Sequence, residues 1–118
     1  MADPIYHVSL VSDWRAARGA GEYTMSSNGI TLAEVGFVHC CYNSQISGVL
    51  QRFYGDVTEP MCLLAIDPDR LPVAVVAENL EGGEELFPHI YGPIPINAVT
   101  EVSMLTRDDY TSWRFDRG

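Results

Sequence analysis

The run Met61-Cys62-Leu63-Leu64-Ala65-Ile66 is continuously apolar and about as long as one β-strand. Such a run is typical of a central strand that is buried on both faces of its sheet. Asp67-Pro68-Asp69 follows directly and predicts a turn that ends the strand. We therefore expect residues 61–66 to form a central strand of the fold.

Four further segments have strand character, namely residues 5–10, 36–41, 73–77 and 99–105. In the first, Tyr6 and Val8 alternate with His7, so the histidine is expected on the face opposite the main apolar stripe. In the second, Phe37 and His39 fall on one face. This alternation predicts that His7 and His39 project from the same side of one sheet into a shared cavity.

Two segments have helical spacing. The first is predicted over residues 13–19, with Ser12 as its N-cap and Gly19 and Gly21 ending it. The second is expected to begin at a capping Asn43, to face the core with apolar residues at helical spacing, and to end near Gly55. Together with the strands, these helices predict an α+β domain with two or three short helices.

Two segments have neither pattern. Residues 24–34 are small and polar, and we expect them to form a loop that covers a cleft. Residues 78–95 include Phe87-Pro88-His89-Ile90-Tyr91-Gly92-Pro93, in which the prolines predict a rigid loop around His89. On such a scaffold, His89 is expected to contact a ligand and to contribute little to stability.

Composition narrows the class of partner. The chain has 118 residues, 47% of them hydrophobic, which is enough for one domain over residues 1–105 with a tail over 106–118. Its net charge of −9, from 16 acidic and 7 basic residues, argues against an extended nucleic-acid surface, although one pocket can still hold a nucleotide.

The same composition predicts a cytoplasmic protein with no membrane partner. No stretch approaches the roughly 18 apolar residues of a membrane span, and the first residues lack the layout of a secretory signal. The three cysteines, Cys40, Cys41 and Cys62, lack the spacing of zinc or redox sites and are expected to be reduced thiols.

Three strings carry a family resemblance: Ile5-Tyr6-His7-Val8, Gly36-Phe37-Val38-His39-Cys40-Cys41, and Glu85-Leu86-Phe87-Pro88-His89-Ile90-Tyr91-Gly92-Pro93-Ile94. In this order they resemble the bacterial family labelled domain of unknown function 952, over about residues 4–105. Cys41 departs from the family pattern, which usually has serine there. The resemblance implies a small ADP-ribosyltransferase-like split β-sheet around a cleft that holds NAD in the active members.

The resemblance also implies roles for the histidines. The first two strings look like the opening of RNA 2′-phosphotransferases, which implies that His7 faces the adenosine-side ribose and that His39 lies at the second cleft strand. An ADP-ribosyl or 2′-phosphoryl transfer at a ribose is the reaction type implied, with NAD or a related nucleotide bound.

The chemistry of that reaction selects further candidates. Imidazoles can move protons near neutral pH, so His39 and His89 are candidate catalytic residues. Cleavage at a ribose passes through an oxocarbenium-like state that a carboxylate stabilises, for which Glu78 is the first choice and Glu85 the second. Two weaker candidates, Gln45 and Tyr91, are expected to join His7 in binding the polar groups of the ligand.

Two alternatives remain open. The cleft can belong to a non-catalytic module that binds a nucleotide or a protein. His7, His39 and His89 can also join Glu78 around one divalent metal ion, as sets of three histidines do in zinc and iron proteins. Their spacing does not require a metal, and none is expected.

Overall fold

The computed structural model describes residues 3–80 and 82–106. Within these residues the chain forms ten strands and three α-helices, in the order β1 Ile5–Leu10, α1 Val11–Ala20, β2 Glu22–Tyr23, β3 Met25–Ser27, β4 Ile30–Thr31, α2 Leu32–Val35, β5 Val38–His39, α3 Ile46–Phe53, β6 Met61–Ile66, β7 Val75–Glu78, β8 Phe87–Ile90, β9 Ile94–Pro95 and β10 Val99–Met104. Short 3₁₀ turns lie at Asn43–Gln45, Pro68–Arg70 and Ile96–Ala98. The predicted α+β class and the short helices are confirmed.

The first sheet is antiparallel and has the order β1-β6-β10. As predicted, β6 is its central strand, and all six of its residues are buried. Leu63 packs into a core on one face, whereas Leu64 and Ile66 pack into a second core on the other. Each fully buried side chain of this kind stabilises the fold by about 1.5 to 3 kcal/mol.

The second sheet is also antiparallel and has the order β5-β8-β7. It joins the first sheet at one β-bridge, where Tyr6 and Cys41 exchange two backbone hydrogen bonds of 2.8 Å. The result is a sheet split into two halves that share a junction between β1 and the end of β5. Any closer likeness to ADP-ribosyltransferases stays a prediction.

The rigid loop predicted around His89 is wrong, because this segment contains β8, the central strand of the second sheet. A proline within a central strand argues against a strand in sequence, since proline has no N–H to donate. Here the Pro88 carbonyl accepts a 3.0 Å hydrogen bond from Cys40 N, just beyond the end of β5. Pro88 therefore lacks an N–H at a position where the hydrogen-bond ladder between β5 and β8 already ends.

Helix α1 is longer than predicted. Its N-cap is Leu10, which makes no side-chain capping bond, so the proposed cap at Ser12 is wrong. The predicted end is confirmed at Gly21, which adopts a φ of 91° and donates its N–H to the Ala17 carbonyl at 2.8 Å. This left-handed conformation is a common helix C-cap that glycine adopts without strain.

The segment predicted as a loop over 24–34 is a β-hairpin of β3 and β4 that leads into α2. Thr31 and Glu34 form a capping box: the Thr31 hydroxyl accepts from Glu34 N at 3.2 Å, and Glu34 Oε1 accepts from Thr31 N at 2.9 Å. The Thr-x-x-Glu pattern is the sequence signal that indicates this helix start.

The helix predicted after Asn43 is present, but Asn43 begins a 3₁₀ turn and does not cap the helix. The side chain of Gln45 instead accepts a 2.9 Å hydrogen bond from Tyr42 N. Helix α3 then buries Ile46 and Leu50 in the first core.

Within residues 3–80 and 82–106, no helix is long and apolar enough to cross a bilayer. The domain boundary near residue 105 stays a prediction, and the predicted tail lies outside the described residues from residue 107 onward.

Candidate functional site

The second sheet has one apolar and one mixed face. Alternation along β8 sends Ile90 into the second core, whereas His89 lies on the opposite face with the side chains of its neighbouring strands. The antiparallel register sets His39 of β5 directly opposite His89. Their ring centroids are 5.3 Å apart, so this face brings two of the three predicted histidines together.

Glu78 lies at the end of β7 and accepts two hydrogen bonds on the same oxygen. His89 Nδ1 lies 2.9 Å from Glu78 Oε2, and the Tyr91 hydroxyl also donates to Oε2. These bonds from Tyr91 and His89 hold the pKa of the Glu78 carboxyl below its usual value. Because a carboxylate only accepts, His89 carries its proton on Nδ1.

His89 is fixed from a second side by Phe37. The two rings stack at a centroid distance of 4.2 Å with an interplanar angle of 18°. Only 3% of His89 is exposed. The predicted loop position of His89 is therefore wrong, because its ring is buried within a sheet and bonded to Glu78. Its small contribution to stability and its contact with a ligand stay predictions.

His39 is enclosed by aromatic rings. Its ring centroid lies 5.7 Å from that of Phe53 and 5.2 Å from that of Phe87. Burial, with smaller effects of His89 and Arg52, lowers the pKa of His39 to about 4, so the imidazole is neutral at physiological pH. Its Nε2 is buried and has no hydrogen-bond partner within residues 3–80 and 82–106.

His39 also lines a cavity of about 230 Å³. The other lining residues are Ser27, Asn28, Ile30, Phe53 and Tyr54. The first three belong to the β3–β4 hairpin, the segment predicted to cover a cleft, so this covering position is present although the segment is not a loop. A second cavity of about 410 Å³ shares Asn28 and Phe53 with the first. These two residues therefore form a wall that both cavities share.

His7 does not reach this face, and the prediction that it shares a cavity with His39 is wrong. Its Nδ1 donates to the His39 carbonyl at 2.7 Å, and its Nε2 lies 2.9 Å from the Tyr23 hydroxyl, which in turn contacts Ser9 Oγ at 2.9 Å. Only 1% of His7 is exposed. Because β1 belongs to the other half of the split sheet, its His7 face is enclosed by the second core.

The position of His7 also bears on the alternative in which the three histidines and Glu78 bind one metal ion. Among the residues that the structure describes, no three His, Cys, Asp or Glu side chains are grouped closely enough to hold a metal ion. His39 and His89 are neighbours, but the third histidine has both ring nitrogens bonded within the protein. The three-histidine arrangement is therefore wrong.

Gln45 and Glu85 are brought together below this face. Gln45 Nε2 donates to Glu85 Oε2 at 3.1 Å and to the Leu86 carbonyl at 2.9 Å. Glu85 also forms an ion pair with Arg52 at 3.3 Å. Both candidates are thus engaged in holding the segment before β8 against α3, and their predicted site roles stay predictions.

Arg52 is a functional candidate that the sequence analysis missed. Its guanidinium carbon lies 5.5 Å from the Phe53 ring centroid and 5.6 Å from that of Phe87. The only sequence signal for it was the scarcity of cations, since the chain has seven arginines and no lysine.

The cysteines are unsuited to nucleophilic chemistry. Cys40, Cys41 and Cys62 are free and buried. Burial raises the pKa of Cys41 to about 12 and that of Cys40 well above its usual value, so both thiols are protonated at neutral pH. Cys40 and Cys41 pack into different cores, because neighbouring residues of an extended segment point to opposite sides.

Comparison with known proteins places the chain in a family. The family described as Protein of unknown function (DUF952) matches residues 8–102. The crystal structure of protein CC0527 from Caulobacter crescentus is similar, with a TM-score of 0.71 and 26% identity over 87% of this chain and 86% of that chain. Its solution NMR structure gives a TM-score of 0.69 and 25% identity over 89% and 88%. A comparison with curated proteins gives no match. Because the family match spans most of the sequence, the chain belongs to the DUF952 family of proteins of unknown function.

Proposed function

We propose that this protein binds a nucleotide of the NAD or ADP-ribose class, with a ribose seated in the His39 cavity. One observation carries the proposal: Nε2 of His39 is buried and has no hydrogen-bond partner among the described residues, and the same side chain lines an open cavity toward which its ring can turn. A buried polar atom left unpaired costs about 1 to 3 kcal/mol, and a ligand hydroxyl that bonds to it recovers that energy.

The size and lining of the His39 cavity suit a ligand ring that carries hydroxyl groups, such as ribose. About 230 Å³ is small for a complete ligand site and suits one sugar or base ring. Phe53 and Tyr54 offer aromatic surface, while Ser27 and Asn28 offer polar groups on the opposite wall. The neighbouring cavity of about 410 Å³ has room for the remainder of a nucleotide.

The charges of the same face support chemistry at the ribose. With a pKa near 4, His39 is a neutral imidazole that can accept or relay a proton. Glu78 is ionised, because its bonds from Tyr91 and His89 hold its pKa low. Glu78 lies on the same sheet face as His39 and His89, and a carboxylate near a ribose can stabilise the oxocarbenium-like charge that forms when the bond from C1′ to nicotinamide is cleaved in ADP-ribosyl transfer.

A thermal-shift screen with NAD, ADP-ribose and a 2′-phosphorylated oligonucleotide tests the proposal first. A ligand at 100 times its Kd adds about 2.7 kcal/mol of apparent stability. Titration of a hit onto His39→Ala should then show affinity lowered by about tenfold or more, which is about 1.4 kcal/mol. Chromatography that detects nicotinamide released from NAD distinguishes an enzyme from a module that only binds the nucleotide.

Tyr42→Ala is the matched control. Tyr42 lines a different cavity of about 400 Å³, together with Asp3, Pro4, Tyr6, Asn43 and Ser44. If Tyr42→Ala weakens binding while His39→Ala leaves it unchanged, the ligand occupies that other cavity and the proposed site is wrong. If none of the three probes shifts the unfolding temperature of the wild-type protein, the nucleotide class itself is wrong.

A further inference from the structure

We propose that Arg52 recognises a phosphate group on the molecule bound in the His39 cavity, and that this phosphate replaces Glu85 on the guanidinium. The inference rests on the proposed function, because it adds a charged end to the ligand of the same site. It names the residue that holds a phosphate of that ligand.

Arg52 and His39 lie around the same two rings. The Arg52 guanidinium is 5.5 and 5.6 Å from the centroids of Phe53 and Phe87, and the His39 ring is 5.7 and 5.2 Å from them. Stacking on aromatic rings holds a guanidinium in place and leaves its edge N–H groups available for an anion. A sugar at His39 can therefore present its attached phosphate to Arg52.

His39 and Arg52 line two neighbouring cavities. Arg52 lines the cavity of about 410 Å³, which shares Asn28 and Phe53 with the His39 cavity. The larger cavity is also lined by the carboxylates of Asp56 and Glu59. Their negative charges disfavour an anion beside them, so within this cavity Arg52 is the group that attracts a phosphate.

The present partner of Arg52 is exchangeable. One guanidinium nitrogen lies 3.3 Å from Glu85 Oε1, and both side chains are 51% exposed. Such an exposed, single-contact pair is weak, whereas a phosphate offers more charge and two oxygens to the guanidinium fork. Glu85 also accepts from Gln45 Nε2 at 3.1 Å, so it keeps a partner when the guanidinium turns to the ligand.

The distribution of cations favours a small phosphate over a polymer. Of the arginines that the structure describes, only Arg52 lines one of these two cavities. Arg70 is bound to Asp67 at 3.4 Å and to the Asn97 carbonyl at 3.0 Å, away from both cavities. With a net charge of −9 the surface repels a phosphate chain, yet one localised cation can hold one phosphate group.

Calorimetric titration of the protein with two pairs of probes tests the inference. The pairs are adenosine 5′-monophosphate and adenosine, and ribose 5-phosphate and ribose. Wild-type protein should bind each phosphorylated probe about tenfold or more tightly than its phosphate-free partner. Arg52→Gln should remove that difference while adenosine binds as before. Glu85→Gln should strengthen binding of the monophosphate, because it removes the competing carboxylate. Arg15→Gln is the matched control, since it removes the same charge from α1, which lines neither cavity.

The outcomes separate the two proposals. If His39→Ala weakens binding but the phosphate advantage survives in Arg52→Gln, the role of Arg52 is wrong and the proposed function stands. If none of these four probes binds wild-type protein, the role of Arg52 is wrong, and the thermal-shift screen with NAD, ADP-ribose and the oligonucleotide decides the proposed function. If Arg52→Gln unfolds at a lower temperature than wild type, the Glu85→Gln variant decides instead, because its Arg52 guanidinium is intact. Unchanged or weaker binding of the monophosphate to Glu85→Gln overturns the exchange of Glu85 for phosphate.

Discussion

His7 should make the stability of this protein depend on pH between about 4 and 6.5. Burial lowers the pKa of His7 from its usual 6.5 to about 4, and the hydrogen bond to the His39 carbonyl opposes this only in part. In the unfolded chain the imidazole titrates near its usual value. Between these two values the unfolded state binds a proton that the folded state does not bind.

The sign and size follow from proton linkage. Stability from the neutral His7 is fully present above about pH 6.5 and is lost as the pH falls toward 4, because acid then favours the unfolded state. A shift of this size corresponds to about 3 kcal/mol, at about 1.4 kcal/mol for each pH unit. That is a large part of the 5 to 15 kcal/mol that is typical of a domain.

Urea unfolding of wild-type protein and His7→Gln, at several pH values from 7 to 4, measures this term. Glutamine can bond to both the His39 carbonyl and the Tyr23 hydroxyl but does not titrate. At pH 7 the variant should be less stable by about 1 to 2 kcal/mol, because its bonds fit less well. The difference should close between about pH 5 and 6, and near pH 4 the variant should be the more stable protein by about 1 to 2 kcal/mol. The carboxylates and His39 titrate in both proteins, so their contributions cancel from the difference in free energy of unfolding. Curves that stay parallel from pH 7 to 4 would refute the reasoning.

Three further predictions concern single residues. His89→Ala should lower the free energy of unfolding by about 2 to 4 kcal/mol in urea titrations, because it empties a buried ring site; a cost under about 1 kcal/mol would return His89 to the role of a replaceable ligand contact. Tyr91→Phe should raise the pKa of Glu78 toward its usual value in an NMR titration of the carboxyl, because one of its two hydrogen bonds is lost; an unchanged titration would contradict the network. Gly92→Ala should cost about 1 to 3 kcal/mol of stability, since its Cβ would lie 2.9 Å from a neighbouring side-chain carbon. Gly48→Ala, within helix α3 and with open space around it, should stabilise by about 0.5 to 1 kcal/mol in the same denaturation assay and serves as its control.

Local patterns predicted most of the elements. An uninterrupted apolar run has no polar face to present to water, so residues 61–66 could only be a strand enclosed on both sides. Likewise, apolar residues at helical spacing before Gly55 predicted α3. The same logic failed at residues 87–90, where Pro88 argues against a strand in sequence and only the end of β5 beside it makes the proline tolerable.

The candidate site was predictable in composition but not in arrangement. His39, His89, Glu78 and Tyr91 were all candidates in the sequence, and strand register brings them to one face. Arg52 was missed because its relevance comes from stacking on Phe53 and Phe87, which depends on how α3 packs against the second sheet.

The sequence by itself determined which face of each strand a side chain occupies, because alternation is a property of the extended backbone. It therefore placed His7 correctly opposite Tyr6 and Val8 along β1. Only the tertiary structure decided what that face meets. The split between the two sheets encloses His7 in a core and leaves His39 at a cavity, since the partner of a face depends on contacts between residues far apart in the chain.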